Sequence, residues 1–293
     1  MANFQVNMTE EKKAFHVGII FKYIICIFLC LLSLFPFWVL FVNSTLQSDT
    51  IIKGLHMLPG GNFFTNYKGL LAKSQLTNTV SLGQGMLNSI IITVPSTILQ
   101  VYFACLTAYG VTVYDFKLKK FAWAFIYAIM MIPTQVSIVG LINVCKLTGM
   151  YGTRLPLILP AIAAPTTVYF MKQYMEASFP VEIVSAARID GAGEFRTFNS
   201  IALPIMKPAM ATQAIFGFVA SWNNLYTPSI ILATKANKGT MPMFVEALKS
   251  NDKQRDFGQI YCGLFISVLP IMVAYFILSK YIVAGVALGG VKE

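Results

Sequence analysis

Apolar positions in this chain gather into long runs rather than into the alternating pattern of an amphipathic fold. Six segments are close to the length that crosses a bilayer: Ile19–Val42, Leu87–Val113, Phe121–Val144, Leu155–Met171, Ala209–Ala233 and Gly258–Val283. About 20 apolar residues are needed per crossing helix. Open strands leave backbone groups unsatisfied in lipid, so the pattern predicts an all-α integral membrane protein with six transmembrane helices. The fourth segment is the shortest and carries Pro156, Pro160 and Pro165, so a kinked or broken helix is expected there.

Polar stretches divide the rest. Residues 1–18 form a polar N-terminal segment, 19–283 the membrane domain and 284–293 a short tail. Within the domain, 43–86 and 234–257 read as loops on one side and 172–207 as a loop on the other. The first apolar run is too long for a signal-peptide core and no small-residue cleavage site closes it, so it is expected to be retained. Basic residues divide almost evenly between the two sides. The short connection Tyr114–Lys120, with Lys117, Lys119 and Lys120, decides the orientation, because short loops follow the positive-inside rule best. Both termini and the loop 172–207 are then cytoplasmic.

Composition agrees with this reading. Of 293 residues, 56% are hydrophobic and 12% charged, about half the charge of a soluble domain. The net charge of +10 suits loops that meet anionic lipid headgroups, and no nucleic-acid partner is expected. The five cysteines lie in or beside apolar segments with no Cys-x-x-Cys pair, so they read as small core residues rather than metal ligands.

Apart from Lys22 and Lys280 near the ends of the first and last, the six segments contain no Asp, Glu, Lys, Arg or His. That disfavours a proton-coupled carrier, a voltage sensor and the aspartyl or zinc membrane proteases. A Ser nucleophile would find no intramembrane His to activate it. No phosphate-cradling Gly-x-x-x-x-Gly-Lys-Ser/Thr loop is present either, so any ATP and magnesium must be bound by another subunit. Neutral polar groups do occur in the spans. Asn88, Gln135 and the cluster Trp222, Asn223, Asn224 and Tyr226 of "SWNNLYTP" are candidates to line a pathway. Amides with aromatic faces suit a neutral polyhydroxylated solute, and hydrogen bonding between helices is the competing role.

The stretch Ser185–Pro208 interrupts this apolar landscape with charge, two glycines and two prolines. Ser178 is a candidate N-cap, and Ile183, Val184 and Ala187 share one helical face, with Glu182 and Ser185 away from it. Gly191 can end the helix in the left-handed conformation. A second short helix is expected to follow, with Phe195, Phe198 and Ile201 on one side, before "LPIMKP" leads into the next span. Neither helix is long enough to be stable alone. An amphipathic hairpin resting on headgroups and a docking element for a cytoplasmic partner both fit these physical facts.

The run "FPVEIVSAARIDGAGEFRTFNSIALPIMKP" resembles the Glu-Ala-Ala loop of the membrane subunits of binding-protein-dependent ABC importers. The matching elements are Ser185-Ala186-Ala187, Asp190-Gly191-Ala192, Ile201-Ala202-Leu203-Pro204 and Pro208. "LFPFWVLFVNST", "NFFTNYKGLL", "LNSIIIT", "SWNNLYTP" and "YIVAGVALGGVKE" are similar to further elements of the maltose-type sugar permeases. The resemblance implies the type I importer permease fold with a coupling helix between the fourth and fifth spans. Residues Glu182, Ile183, Val184, Ser185, Ala186, Ala187, Arg188, Asp190 and Gly191 would then dock on an ATPase subunit. Small residues at 186, 187 and 191 would allow close approach, and Asp190 would fix the turn. The implied partners are a second related permease, two ATP-binding subunits, and an extracytoplasmic sugar-binding protein facing the loop Thr234–Phe257. The implied membrane is the plasma or inner membrane of a prokaryote. The tail Gly289–Glu293 would touch the ATPase dimer. Ser185 stands where the family pattern has Glu, so no ion pair to the ATPase is expected at that position. A sugar or oligosaccharide is the expected cargo, a glycerol-phosphate ester the alternative; a stand-alone carrier fits less well.

Overall fold

In a computed structural model of the protein, residues 2–76, 80–133, 136–233, 235–249 and 255–289 are described. The chain order is α1 (Ala2–Ser44), α2 (Ser48–Ile51), α3 (Phe63–Leu76), α4 (Leu82–Val113), α5 (Lys119–Met130), α6 (Ile138–Leu147), α7 (Leu155–Ile158), α8 (Pro165–Ser178), α9 (Glu182–Ile189), α10 (Glu194–Thr197), α11 (Leu203–Ile205), α12 (Lys207–Trp222), α13 (Tyr226–Ile231), α14 (Met241–Lys249) and α15 (Phe257–Gly289). Among the described residues there is no strand, in line with the all-α expectation.

By length and apolarity, four helical stretches among the described residues can cross a membrane: Ile19–Ser44, Leu82–Val113, Leu155–Ser178 and Phe257–Tyr281. The count rises to five if Glu194–Ile205 and Lys207–Trp222, which meet at 79°, are taken together. Two of the six expected helices are divided where no break was expected. Phe121–Val144 is not one helix: α5 ends at Met130 and α6 begins at Ile138, with Pro133 between them to deny the helix its i−4 bond. Ala209–Ala233 is also divided, between α12 and α13, at residues 223–225. The expected break in the fourth segment is present: α7 gives way to a 3-10 turn at Leu159–Ile162, and α8 restarts at Pro165.

The chain forms two compact units. The first comprises Met1–Leu70 and Gln254–Phe265. Its membrane helix Ile19–Ser44 exposes nearly every apolar side chain, and only its end packs inward, with Val42, Asn43, Ser44 and Thr45 buried. There the Asn66 amide donates to the carbonyls of Ser44 and Leu46, each at 2.9 Å, and the Phe257 N–H donates to Ser48 Oγ at 3.0 Å. Phe41 and Phe63 both meet the Phe265 ring.

The second unit comprises Leu71–Lys253 and Ile266–Glu293, and α4 is its spine. Ala104, Cys105, Ala108 and Tyr109 of α4 are buried against Met171 and Met175 of α8. The same core continues through Phe179, Val184 and Phe198 to Met206 and Ala209. One apolar core thus joins the spans to the polar loop 172–207. Helix α12 crosses α4 closely at Gly217, where a Cβ would lie 2.8 Å from Gln100 Oε1.

Candidate functional site

Helix α9 is built differently from its sequence expectation at the start and as expected at the end. Ser178 is the last residue of α8 rather than an N-cap, and the N-cap position of α9 is Val181, with no side-chain bond. At the other end the Ala192 N–H donates to the Ala187 carbonyl at 2.9 Å and the Gly191 N–H to the Arg188 carbonyl at 3.1 Å. Gly191 has φ of 78°. This pair of bonds with a left-handed glycine is the Schellman closure. The main chain alone makes it; the exposed Asp190 carboxylate takes no part in these bonds.

Val184 and Ala187 are the buried face of α9, while Ile183 remains 37% exposed. Glu182, Ser185, Ala186, Arg188 and Asp190 are exposed. Beyond the turn, the expected face of Phe195, Phe198 and Ile201 is corrected. Phe195 is 74% exposed, and Thr197, Phe198, Ala202 and Met206 turn inward. A π-helical stretch at Phe198–Ala202 adds a residue to the turn after Phe198, so that Ala202 rather than Ile201 follows it on the inner face. Ile189, 87% exposed, joins Phe195 on the outside.

Two residues that the motif reading passed over, Tyr114 and Glu194, join Arg188 in tying this hairpin to the spans. Arg188 Nε donates to Glu194 Oε1 at 2.7 Å and Nη2 to Oε2 at 3.2 Å. The Tyr114 hydroxyl, just past α4, donates to Glu194 Oε2 at 2.5 Å, and the Arg188 guanidinium lies 5.5 Å from the Tyr114 ring. Arg188 and Tyr114 hold the Glu194 carboxyl below its usual range, the guanidinium bond being the larger cause. Burial first, then the Glu194 bond, pushes the Tyr114 hydroxyl up to about 12. The readable signal was opposite charge on the two flanks of an Asp-Gly-Ala-Gly turn.

The candidate pathway residues separate. At residues 223–225 the helix is interrupted, and Asn224 Oδ1 accepts from the Thr227 N–H at 3.2 Å to start α13. Beside the interruption lies a cavity of about 190 Å³, where Ser221, Asn224 and Thr227 face Ile92, Leu141 and Leu157, with prolines 156, 160 and 228 completing the wall. Irregular backbone at membrane depth is tolerated where it lines a cavity or is buried in protein. Asn223 and Tyr226 are exposed. Trp222 is buried, stacked on Phe218 at 5.7 Å, and its indole N–H donates to the Ser267 carbonyl at 3.0 Å. Asn88 is 2% exposed and does not reach the cavity. Its amide donates to the carbonyls of Asn237 and Gly239, and its Oδ1 accepts from Arg154 Nη2 at 2.5 Å. Gln135 and residues 290–293 of the tail lie outside the described residues.

These contacts gather at opposite ends of α4. Near its start, Ser89 Oγ accepts from the Met241 N–H, and Lys238 Nζ donates to the Gly152 carbonyl. Near its end, Tyr109 and Tyr114 meet Phe179, Phe198 and Glu194.

Comparison with known proteins agrees with this architecture. Residues 100–287 match the family described as binding-protein-dependent transport system inner membrane component. The chain is 30% identical over 267 residues to the arabinooligosaccharides transport system permease protein AraQ of Bacillus subtilis, covering 90% of this chain and 92% of that one. It is 26% identical over 268 residues to the sn-glycerol-3-phosphate transport system permease protein UgpE of Pectobacterium atrosepticum, covering 91% and 95%. Its fold matches a chain in the crystal structure of a bacterial ABC transporter involved in the import of the acidic polysaccharide alginate, with a TM-score of 0.70 at 19% identity, over 90% of this chain and 95% of that one. With its helical fold, its membrane-length spans and a family match across most of its length, the chain belongs to the binding-protein-dependent transport system inner membrane components.

Proposed function

We propose that the chain is the transmembrane permease subunit of an ATP-driven importer for a sugar or oligosaccharide. The observation that carries this is the hairpin of α9 and α10. Its inner face belongs to the core of the spans, and its outer face offers Ile189, Phe195, Ala186 and Ser185 to a partner. A separate ATPase docks there and drives alternating access, binding ATP and magnesium itself. With Ser at position 185 the docking contact is chiefly apolar. Arg188 is already paired with Glu194.

The spans cross six times in this reading. Within the second unit, α4, the α5–α6 pair, α7–α8 and α12–α13 each run between the two contact clusters at the ends of α4. Ile19–Ser44 and α15 supply the other two crossings. The loop 172–207 and both termini are cytoplasmic, and the loops 43–86 and 234–257 are external. The exposed apolar length of Ile19–Ser44 fits a second, related permease and lipid. The external knot of Asn88, Arg154, Asn237 and Gly239 positions the loop that meets a sugar-binding protein.

The cavity beside Asn224 favours a neutral cargo, because the described residues lining it offer hydroxyl and amide groups and no cation. A glycerol-phosphate ester, the substrate named for UgpE, calls for charge-assisted bonds from Arg or Lys. Ser221, Asn224, Thr227 and the exposed Asn223 and Tyr226 are the residues proposed to face solute. Trp222 and Asn88 hold the surrounding helices in place.

Mild-detergent purification of the tagged protein, with its companions identified by mass spectrometry, tests the reading. A second permease and a nucleotide-binding subunit should copurify, and deletion of 181–193 should release the nucleotide-binding subunit. A protein that purifies alone and moves solute without ATP overturns it.

A further inference from the structure

Gly191 makes the hairpin turn compliant, yet a force applied to α9 has to reach the spans. The Schellman closure holds α9 to the turn by main-chain bonds only. Beside the apolar packing of Val184 and Phe198, a polar side-chain cluster fastens the turn to the rest of the protein. Glu194 receives both nitrogens of Arg188 from one flank of the turn and the Tyr114 hydroxyl from the end of α4. The Tyr114 ring also lies under the Arg188 guanidinium, an arrangement that adds cation–π attraction. Tyr109 packs edge-on to Tyr114 at 5.9 Å and against Phe198 at 5.3 Å. A second bond between the same elements runs from the Tyr102 hydroxyl to Asn199 Oδ1 at 3.2 Å.

We infer that Tyr114, Glu194 and Arg188 form a latch that makes the hairpin and the cytoplasmic end of α4 move as one body. They are positioning residues: none faces solute or nucleotide, and they act through α4, the helix against which α8 and α12 pack. The latch lies between the proposed docking face and the pathway. The second α4 bond, at Asn199, falls inside the π-helical stretch Phe198–Ala202, so an unlatched hairpin can swing on Gly191 ahead of that tie, opposed only by the apolar packing of Val184 and Phe198. With the latch closed, displacement of α9 must displace α4, and with it Ile92 and Thr93 beside the cavity and Ser221. The inference rests on the importer reading for its consequence, but its mechanical part concerns this chain alone.

Two readouts on the assembled complex separate these parts. The first is hydrogen exchange at the amides of residues 186–197. Tyr114→Phe, which keeps the ring and loses the donor, and Glu194→Gln, which keeps the shape and loses the charge, should each raise exchange about tenfold, the scale of one charge-assisted bond. The second is a bimane on Asn223→Cys in a Cys26→Ser/Cys30→Ser background, read on addition of Mg-ATP and vanadate. The parent should respond, and both variants should lose most of the response while still hydrolysing ATP at about the parent rate. Arg188→Lys, which keeps the charge and loses the fork, should fall between.

Unchanged exchange overturns the latch. Raised exchange with an undiminished bimane response also overturns it, leaving only a local brace. Hydrolysis and response falling in parallel would mean lost docking and equally overturn it. A parent complex that shows no ATP-driven response would instead count against the importer reading, and the exchange data would still judge the latch.

Discussion

Gly191 is the residue on which the hairpin turns, and its environment separates backbone cost from packing cost. Nothing lies within 4 Å of a Cβ placed there, while its φ is 78°. Gly191→Ala therefore costs only the left-handed conformation, about 1 kcal/mol, and Asn, which tolerates that region, should cost less. Gly191→Pro is different in kind. It forces φ to about −65° and removes the N–H that closes on Arg188. Uptake by cells with matched membrane levels should fall modestly for Ala, less for Asn and to background for Pro. Uptake by the Pro variant at the parental level would show that this turn transmits nothing. The turn was legible because a lone glycine after a short apolar stripe has one common use. Ser178 was not, because a Ser-x-Pro pattern looks the same whether a helix begins after it or, as here, α8 ends on it. Ile201 lost the inner face to Ala202 for a physical reason: the π-helical insertion that begins at Phe198 is invisible to a 3.6-residue period.

At the scale of elements, hydropathy reports length and misses breaks. Pro36, Pro95 and Pro270 sit inside continuous helices, whereas Pro133, Pro156, Pro160 and Pro165 coincide with interruptions. Proline identity alone does not decide, since neighbouring helices and side chains can re-satisfy the freed backbone. The division between α12 and α13 comes instead at two asparagines, whose side chains compete for backbone partners. What hydropathy also misses is how closely helices approach. Gly217 lets α12 reach α4 beside Gln100, whose amide donates to Thr167 Oγ1 on α8 at 2.7 Å. A methyl at 217 would push the Gln100 head away and break that three-helix tie. Gly217→Ala should cost about 1 kcal/mol, the worth of one hydrogen bond, and Gly217→Val more. In a Gln100→Ala background the Ala substitution should be nearly silent, because its partner is already gone. Unfolding can be followed by the reactivity of Cys105, Cys145 and Cys262, all buried, once Cys26 and Cys30 are replaced by Ser. An equal cost in both backgrounds would place the damage elsewhere in the α4–α12 crossing.

For the whole molecule, the cytoplasmic assignment of the loops rests on three lysines, while side-chain contacts independently constrain which loops share a side. Tyr114 follows the second span and Glu194 precedes the fifth, and their hydrogen bond requires both on one side of the membrane. An even number of crossings must then separate them, and the proposed six-span arrangement meets this condition if α5 and α6, each too short to cross alone, together make one crossing that balances α7–α8. The Asn88 bonds to Asn237 and Gly239 impose the same condition at the other face. Single cysteines at Phe116, Phe195 and Asn237, all exposed, convert this into a measurement with a membrane-impermeant maleimide in the Cys26→Ser/Cys30→Ser background. In intact cells only Asn237→Cys should label; in inverted vesicles only Phe116→Cys and Phe195→Cys should. Reversal of all three would keep the contact geometry and overturn the positive-inside assignment. Labelling of Phe116→Cys and Phe195→Cys from opposite sides is incompatible with the Tyr114–Glu194 bond. It would remove α5–α6 from the crossing helices and, with them, the six-span reading.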